Sequence, residues 1–464
     1  MTRFELRDVL DSTGASLVRG EPGVEVCGVS TDSRTLRPGE LFLALSGPNF
    51  DGNDFAPKAI EAGAAAVLLR GGSAQAPPDL PGTAALAVHP DPRRALGDLA
   101  AWHRSRLEVP VIGVTGSCGK TTTKDILAEL LAVRGPVVAS PSSFNNDIGV
   151  PHTLLLADDE TEALVVELGT NHRGEIGALC RIARPTCGVI TNVGAAHLEG
   201  LGSLEGVAQE KGDLAEALPL EGFLVLNQDC RFTPELRLRT GAQVITFSVE
   251  GEGDFDARDI VFHSGGTTFR LNGHEITSPL LGTHNIQNLL AALAVCTGLA
   301  IPLDEVLPAV VNIRGGSQRL ERVELEGLTV FDDTWNSNPD SSLAAVRCLS
   351  GMHGFQRRIL VLGDMLELGE LAAELHHGLG AEAARSGIDF VVLVGELSKA
   401  AAAGAIECGM PAESLLHVAT TDEAVAIVPE IVCDGDVVLV KGSRKLGLER
   451  IVARLAELRG ARRE

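Results

Sequence analysis

One heptapeptide constrains this 464-residue chain more than any other stretch: Gly-Ser-Cys-Gly-Lys-Thr-Thr at residues 116–122. It follows an apolar run, 111–114, read as a buried strand. It opens residues 121–132, where Ile126, Leu127, Leu130 and Leu131 recur at helical spacing. Strand, glycine loop and helix in that order make a phosphate-binding loop. Glycines let backbone N–H groups turn inward around phosphate oxygens, and the helix N-terminus adds partial positive charge. Lys120 is placed to reach the β/γ-phosphates of a nucleotide, and the Thr121 hydroxyl to meet Mg²⁺. The bland alternative is an ordinary glycine turn. The spacing G-x-x-x-x-G-K-[ST] needs glycine at 114, where Val114 stands with Gly113 one place early. That departure argues against an ordinary kinase or small GTPase.

The surrounding pattern is α/β. Runs at 163–166 and 188–191 read as further buried strands, and strand–helix alternation implies a parallel sheet covered by helices. Before it, residues 24–30 and 40–45 read as short strands, and 56–69 as a helix running into a strand. Residues 71–82, rich in Pro and Gly, read as a surface loop, and 102–108 as the end of a helix. After it, 330–331, 359–362, 390–394 and 437–440 are short apolar runs separated by helical patterns, a doubly wound signature. The expected fold is α/β in three domains: a small N-terminal α/β domain (1–108), a central mostly parallel P-loop domain (109–315) and a C-terminal doubly wound, Rossmann-like domain (316–464). Length agrees, at roughly 150 residues per domain.

Composition excludes several classes. With 39 Lys+Arg against 62 Asp+Glu the net charge is −23, which disfavours nucleic acid as a partner. Only 3% of residues are aromatic and there is no Tyr, so a base-stacking platform is not expected. The nine Cys are scattered without a C-x-x-C pair, which reads as buried thiols in a reducing compartment. The N-terminal residues carry Arg3, Glu5, Arg7 and Asp8 and lack an apolar signal core. The most apolar stretch, 289–303, is too short to span a bilayer. A soluble cytoplasmic protein is expected.

Further candidates sit near strand ends, where open α/β sheets bind ligands. Glu167 closes the 163–166 strand and is a hard oxygen ligand suited to Mg²⁺. His197 ends Gly-Ala-Ala-His after the next strand; taken alone such a residue is more often a satisfied core or surface histidine than a ligand. Lys211 lies in a helical stretch, where the bland reading is a solvated face. Asn145, Asn146 and Asp147 read equally as a turn. In the basic C-terminal stretch, Leu448, Ile451, Val452 and Leu455 read as the inward face of a helix, with Lys441 and Arg444 left open as phosphate contacts.

Taken together, these segments resemble the Mur ligases, the ATP-dependent amide-forming enzymes of peptidoglycan synthesis. The segments 116–122, 143–149 (Ser-Phe-Asn-Asn-Asp-Ile-Gly), Glu167, 191–197 (Thr-Asn-Val-Gly-Ala-Ala-His) and 282–288 (Gly-Thr-His-Asn-Ile-Gln-Asn) occur in the family's order. Segments 332–340, 362–369 and 440–444 narrow the likeness to the branch that joins D-alanyl-D-alanine to UDP-N-acetylmuramoyl tripeptide. Residues 31–34 and 47–55 agree. The resemblance implies that Gly116, Ser117, Cys118, Gly119, Lys120, Thr121 and Thr122 hold ATP, with Asn285, Arg319 and Asp333 as further nucleotide contacts. Arg319 falls near the γ-phosphate and Asp333 near the ribose. Thr121, Glu167, His197 and, if carbamylated, Lys211 would serve Mg²⁺. Lys120, Lys211 and Arg319 would be catalytic. Ser33 and Arg34 fall at the uridine end of the substrate site. Asn145 and Asn146 are assigned to substrate, and Asn336 and Asn338 to the loop near the incoming dipeptide. Trp335 stands where the family commonly has Tyr, and Asn53 where His is usual.

The implied roles of the domains are uridine-nucleotide binding, ATP binding and dipeptide binding. The implied reaction phosphorylates the tripeptide carboxylate and lets the dipeptide amine attack the acyl phosphate. Small-molecule substrates, ATP and Mg²⁺, no nucleic acid, no membrane span and a monomer are the expected partners and state. Joints near 109 and 315–316 are the expected hinges. Rival readings are another amide ligase of the superfamily (a different Mur ligase or a folylpolyglutamate synthetase), a P-loop phosphotransferase, and a non-catalytic nucleotide-driven switch.

Overall fold

The computed structural model describes residues 2–72, 80, 82–263 and 266–460. Most of the Pro/Gly-rich stretch at 71–82 therefore lies outside the described residues. The apolar runs read from the sequence become the strands of three sheets. In the N-terminal unit the spatial order is Ser16–Arg19, Ala85–His89, Ala66–Arg70, Leu41–Leu43 and Val29–Ser30, parallel except for the first pair. The helix whose end is read at 102–108 runs from Pro92 to Arg104. Asp91 caps it by accepting from the N–H groups of Arg93 and Arg94.

The central sheet has seven strands, all parallel. Their order is Phe255–Asp256, Gln243–Ser248, Phe223–Asn227, Cys187–Ile190, Val111–Thr115, Ala163–Glu167 and Val137–Ala139. The chain leaves Val111–Thr115 toward one edge, returns beside it, then crosses to its other flank. Strand order thus reverses at Val111–Thr115, and a crevice opens above its carboxyl end. The strand is buried at all five residues, as a strand covered on both faces must be.

The apolar run at 289–303 contributes most of the Thr283–Gly298 helix, buried at all but a few positions. It packs against the phosphate-loop helix Lys120–Leu131 and beneath the sheet. Among the described residues no helix is long and apolar enough to cross a membrane.

A three-stranded antiparallel sheet, Arg258–His263, Gly266–Leu271 and His274–Ser278, was not read from the sequence. Its signal was present. Asn272-Gly273 joins the last two strands, with φ of 49° and 89°, the two positive values that a tight hairpin turn requires.

The C-terminal sheet runs Glu321–Leu325, Leu328–Asp333, Val437–Lys441, Arg358–Gly363, Phe390–Val394 and Leu415–Val418. Only the first pair is antiparallel. Three adjacent strands, ending at Asp333, Lys441 and Gly363, deliver their following loops to one end of the sheet. That end faces the crevice of the central sheet. In the helix Glu449–Arg459 and the turn before it, Leu448, Ile451, Val452 and Leu455 are buried, as read.

Candidate active site

The phosphate loop begins at Gly116, whose φ of 151° favours glycine. A Cβ there would meet Thr191 Oγ1 at 1.9 Å. The backbone N–H groups of Ser117 and Cys118 converge on one oxygen, Asn192 Oδ1, at 3.1 and 2.9 Å. Asn192 thus braces the first turn of the loop against the segment that follows the Cys187–Ile190 strand. Gly119, with φ of 81°, precedes the Lys120–Leu131 helix. Lys120 Nζ donates to Gly116 O at 2.8 Å, and burial lowers its pKa while Glu167 opposes that shift.

Thr121 links three segments. Its hydroxyl donates to Glu167 Oε2 at 2.8 Å and accepts from Arg319 Nη2 at 2.9 Å. Asn145 Nδ2 donates to the other carboxylate oxygen of Glu167, also at 2.8 Å. Glu167 is completely buried, and the two bonds fall one on each of its carboxylate oxygens. The Asn145–Asp147 triple is therefore split in use. Asn145 serves Glu167, Asn146 accepts from the N–H groups of Ile148 and Gly149, and Asp147 pairs with Arg93.

Lys211 departs from its bland reading. It is 1% exposed within the Leu204–Ala217 helix. Burial first, and the Lys120 cation second, bring its pKa down from 10.5 to about 7. The same two lysines, after burial, hold the imidazole of His197 below its usual pKa. His197 takes a left-handed backbone, φ 54°, and its Nδ1 lies 3.1 Å from Glu367 Oε2.

The C-terminal unit closes the site. Lys441 Nζ donates to Asp333 Oδ2 at 2.7 Å and to Asn336 O at 2.9 Å, so the buried lysine braces the loop that follows Asp333. Asn338 Oδ1 accepts from Cys118 Sγ at 3.1 Å and from Ser341 N at 2.9 Å, capping the Pro339–Ser350 helix. Asp340 Oδ2 accepts from Ala195 N at 3.1 Å. Trp335 lies beneath two guanidinium groups, those of Arg444 at 4.8 Å and Arg319 at 5.7 Å from the ring centroid.

A cavity of about 890 Å³ gathers the phosphate loop from Ser117 to Thr122, Asn145, Asn146, Glu167, His197, Asn285, Arg319, Asp333, Asn336 and Asn338. Lys211 is not among the residues that line it. Ser33 and Arg34 are not brought to it. Ser33 is buried in the N-terminal unit, and Arg34 forms an exposed bidentate pair with Asp32. Asn53, in the family's histidine position, exchanges two hydrogen bonds with the backbone of Arg70. A second cavity, about 670 Å³, opens beside the first across Asn192, His284, Gln287, Asp340 and Ala344. Sequence reasoning singled out neither Asn192 nor Asp340, although both lie inside segments that carry the resemblance.

The donor set suits Mg²⁺ in part. Thr121 and Glu167 offer hard oxygens at one point of the cavity, the kind of set that Mg²⁺ takes together with phosphate oxygens. Among the described residues no three His, Cys, Asp or Glu side chains form a ready cage. An all-protein cage is thus not what these residues build.

Three family models match the chain: the Mur ligase family catalytic domain over residues 25–104, the Mur ligase middle domain over 114–296, and the Mur ligase glutamate ligase domain over 318–444. The chain is 36% identical over 433 residues to the UDP-N-acetylmuramoyl-tripeptide--D-alanyl-D-alanine ligase of Bacillus subtilis, covering 93% of each chain. It is 38% identical over 440 residues to the ligase of the same name from Escherichia coli, covering 92% of this chain and 93% of that one. Among solved structures it is similar to MurF from Acinetobacter baumannii, with a TM-score of 0.89 at 30% identity over 98% of this chain and 99% of that chain. It is also similar to MurF ligase from Thermotoga maritima in complex with ADP, with a TM-score of 0.81 at 26% identity over 93% and 97%.

Proposed function

The chain belongs to the Mur ligase family, and from that premise we propose how its cavity works. The protein is an ATP-dependent ligase of peptidoglycan precursor synthesis. It adds D-alanyl-D-alanine to UDP-N-acetylmuramoyl tripeptide, giving the pentapeptide, ADP and phosphate. One observation carries the reading. The phosphate loop, Arg319 and the 333–338 loop of the C-terminal unit converge on a single cavity.

A carboxylate is a poor acylating agent because oxide is a poor leaving group. Transfer of the γ-phosphoryl group to the tripeptide carboxylate supplies a better one. That step brings an anion up to a polyanion, so positioning and positive charge dominate it. The phosphate loop at 116–122 and the Lys120 ammonium hold the phosphates, and Arg319 approaches the transferring group. Asn285 and Asp333 orient the nucleoside. Mg²⁺, when bound, supplies charge neutralisation at the phosphates, and Thr121, Glu167 and His197 would hold it. Lys211 would join them as a carbamate. Its low pKa keeps a neutral amine available to CO₂, and the product is an anion in place of a cation.

In the second step the dipeptide amine attacks the acyl phosphate, and the tetrahedral intermediate expels phosphate. Asn145 and Asn146 face the tripeptide end, and Asn336 and Asn338 the dipeptide. The seated C-terminal unit excludes water, which would hydrolyse the acyl phosphate. The three units divide the ligands: residues 1–108, with Ser33 and Arg34, take the uridine nucleotide, 109–315 take ATP, and 316–464 take the dipeptide. Hinges near 109 and 315–316 let them open and close. The protein works in the cytoplasm as a monomer.

The deciding assay supplies ATP, Mg²⁺, UDP-N-acetylmuramoyl tripeptide and D-alanyl-D-alanine. Phosphate and pentapeptide should form in equal amounts, and phosphate should not accumulate without the dipeptide. Phosphate release indifferent to the dipeptide would sink the reading.

A further inference from the structure

His197 and Glu367 face each other across the boundary between the central and C-terminal units. Both take left-handed backbone conformations, with φ of 54° and 63°. Neither is glycine, so each conformation is strained and must be held by its surroundings.

The surroundings of Glu367 are rigid. Its loop follows the Arg358–Gly363 strand, and each preceding residue is tied down. Asp364 accepts from Ser398 N at 2.7 Å through its carboxylate and from Ser443 N at 3.2 Å through its backbone oxygen. Met365 N donates to His376 Nε2 at 2.9 Å, and Leu366 N donates to Ser443 Oγ at 3.0 Å. His376 is itself completely buried, and its Nδ1–H donates to Ala372 O. A loop this braced presents the Glu367 carboxylate at a defined place. Glu367 itself remains about half exposed and stabilises no core.

The surroundings of His197 are prepared to receive it. Asp340 accepts from Ala195 N, two residues before the histidine. Gly194 allows that approach, because a Cβ at 194 would meet Asp340 Oδ2 at 1.7 Å. The C-terminal unit therefore grips the 194–197 segment at two points.

We propose that Glu367 is a positioning residue that acts across the domain boundary. By accepting from His197 Nδ1–H it fixes the tautomer and ring orientation, leaving Nε2 as the ligating nitrogen at the nucleotide cavity. A carboxylate on the far nitrogen of a ligating histidine is a general device for orienting the ring and raising its basicity. Here the carboxylate comes from another domain, so the histidine is set only while the C-terminal unit is seated. The inference rests on the reading of His197 as a metal-site residue.

The test uses the full chain with ADP and Mn²⁺ as the probe, with metal binding followed by electron paramagnetic resonance. His197→Ala should remove or weaken one class of Mn²⁺ site. Glu367→Ala should weaken that same class about 10-fold or more. It should lower kcat by a similar factor and leave the KM for ATP within about twofold. Glu367→Gln, whose amide oxygen still accepts from Nδ1–H, should restore both metal affinity and kcat to within about threefold of the parent. Thermal unfolding of the variants should match the parent, since the side chain is half exposed. Parent-like Mn²⁺ binding in Glu367→Ala, with loss in His197→Ala, would overturn the positioning role alone. Equal damage in Glu367→Ala and Glu367→Gln would overturn it too. Unchanged binding in His197→Ala would instead remove the metal reading on which the inference rests.

Discussion

Lys211 makes no hydrogen bond or ion pair among the described residues, and the strongest charge influence on it, that of Lys120, comes from a like charge. Unfolded, its ammonium keeps a proton up to about its ordinary pKa near 10.4. Folded, it releases that proton near 7. Between those values the unfolded chain binds more protons, so stability rises with pH. Below 7 both states are protonated and the slope vanishes. A single such group contributes at most about 1.4 kcal/mol per pH unit. Urea unfolding of the CO₂-free protein at pH 7, 8 and 9 should therefore show midpoints that climb more steeply in the parent than in Lys211→Met. Parallel slopes would mean that the lysine is not held neutral. The same neutrality makes the amine a nucleophile toward CO₂. Lys211→Ala should accordingly lose activity, and added bicarbonate should not restore it.

One position earlier on the same helix the chemistry is structural. Glu210 accepts from Gly174 N at 2.6 Å, Ile176 N at 2.8 Å and Thr170 Oγ1 at 3.2 Å. Two of these donors belong to the start of the Glu175–Ala183 helix, whose first N–H groups have no partners within the helix. Glu210→Ala should lower the stability of the central unit by about 2–3 kcal/mol, because buried donors are left unmet. The expected readout is an earlier unfolding midpoint. Lys211→Ala, by contrast, should lose turnover without that shift. Coincident loss of stability in both variants would show that the helix has no such division of labour. This division was not legible from spacing. The pattern at 206–213 identifies a helix, but it does not say which neighbour covers which face. The hairpin at 272–273, in contrast, was legible through Asn-Gly and went unread.

For the whole molecule, a net charge of −23 surrounds a site that must admit ATP and a uridine diphosphate derivative. Positive charge is therefore concentrated at short range. Lys120 and Arg319 line one cavity wall together with the N–H groups of the phosphate loop. Long-range attraction contributes little, and the field of the whole chain is repulsive to the ligand. Raising salt from about 0.05 to 0.3 M shortens the screening length to below about 10 Å and weakens that repulsion as well as the attraction. The KM for ATP should change by less than about threefold across that range. A steep loss of affinity, of the kind seen when surface charges steer a ligand, would refute the local account.

The phosphate loop, the carboxyl-end placement of Glu167 and the α/β class of the fold were readable because each rests on local chemistry. Glycine turns, apolar periodicity and helix starts are set by residues within about a dozen positions of one another. The contacts that make the cavity work span much greater separations. Arg319 reaches Thr121 and Glu367 reaches His197 only after separate sheets pack together, and no spacing rule encodes those meetings. Packing also buried Lys211 and committed Asn53 to the backbone of Arg70. Spacing determined which groups could do the chemistry; burial and interdomain contact, properties of the assembled chain, decided the charge and orientation in which they are held.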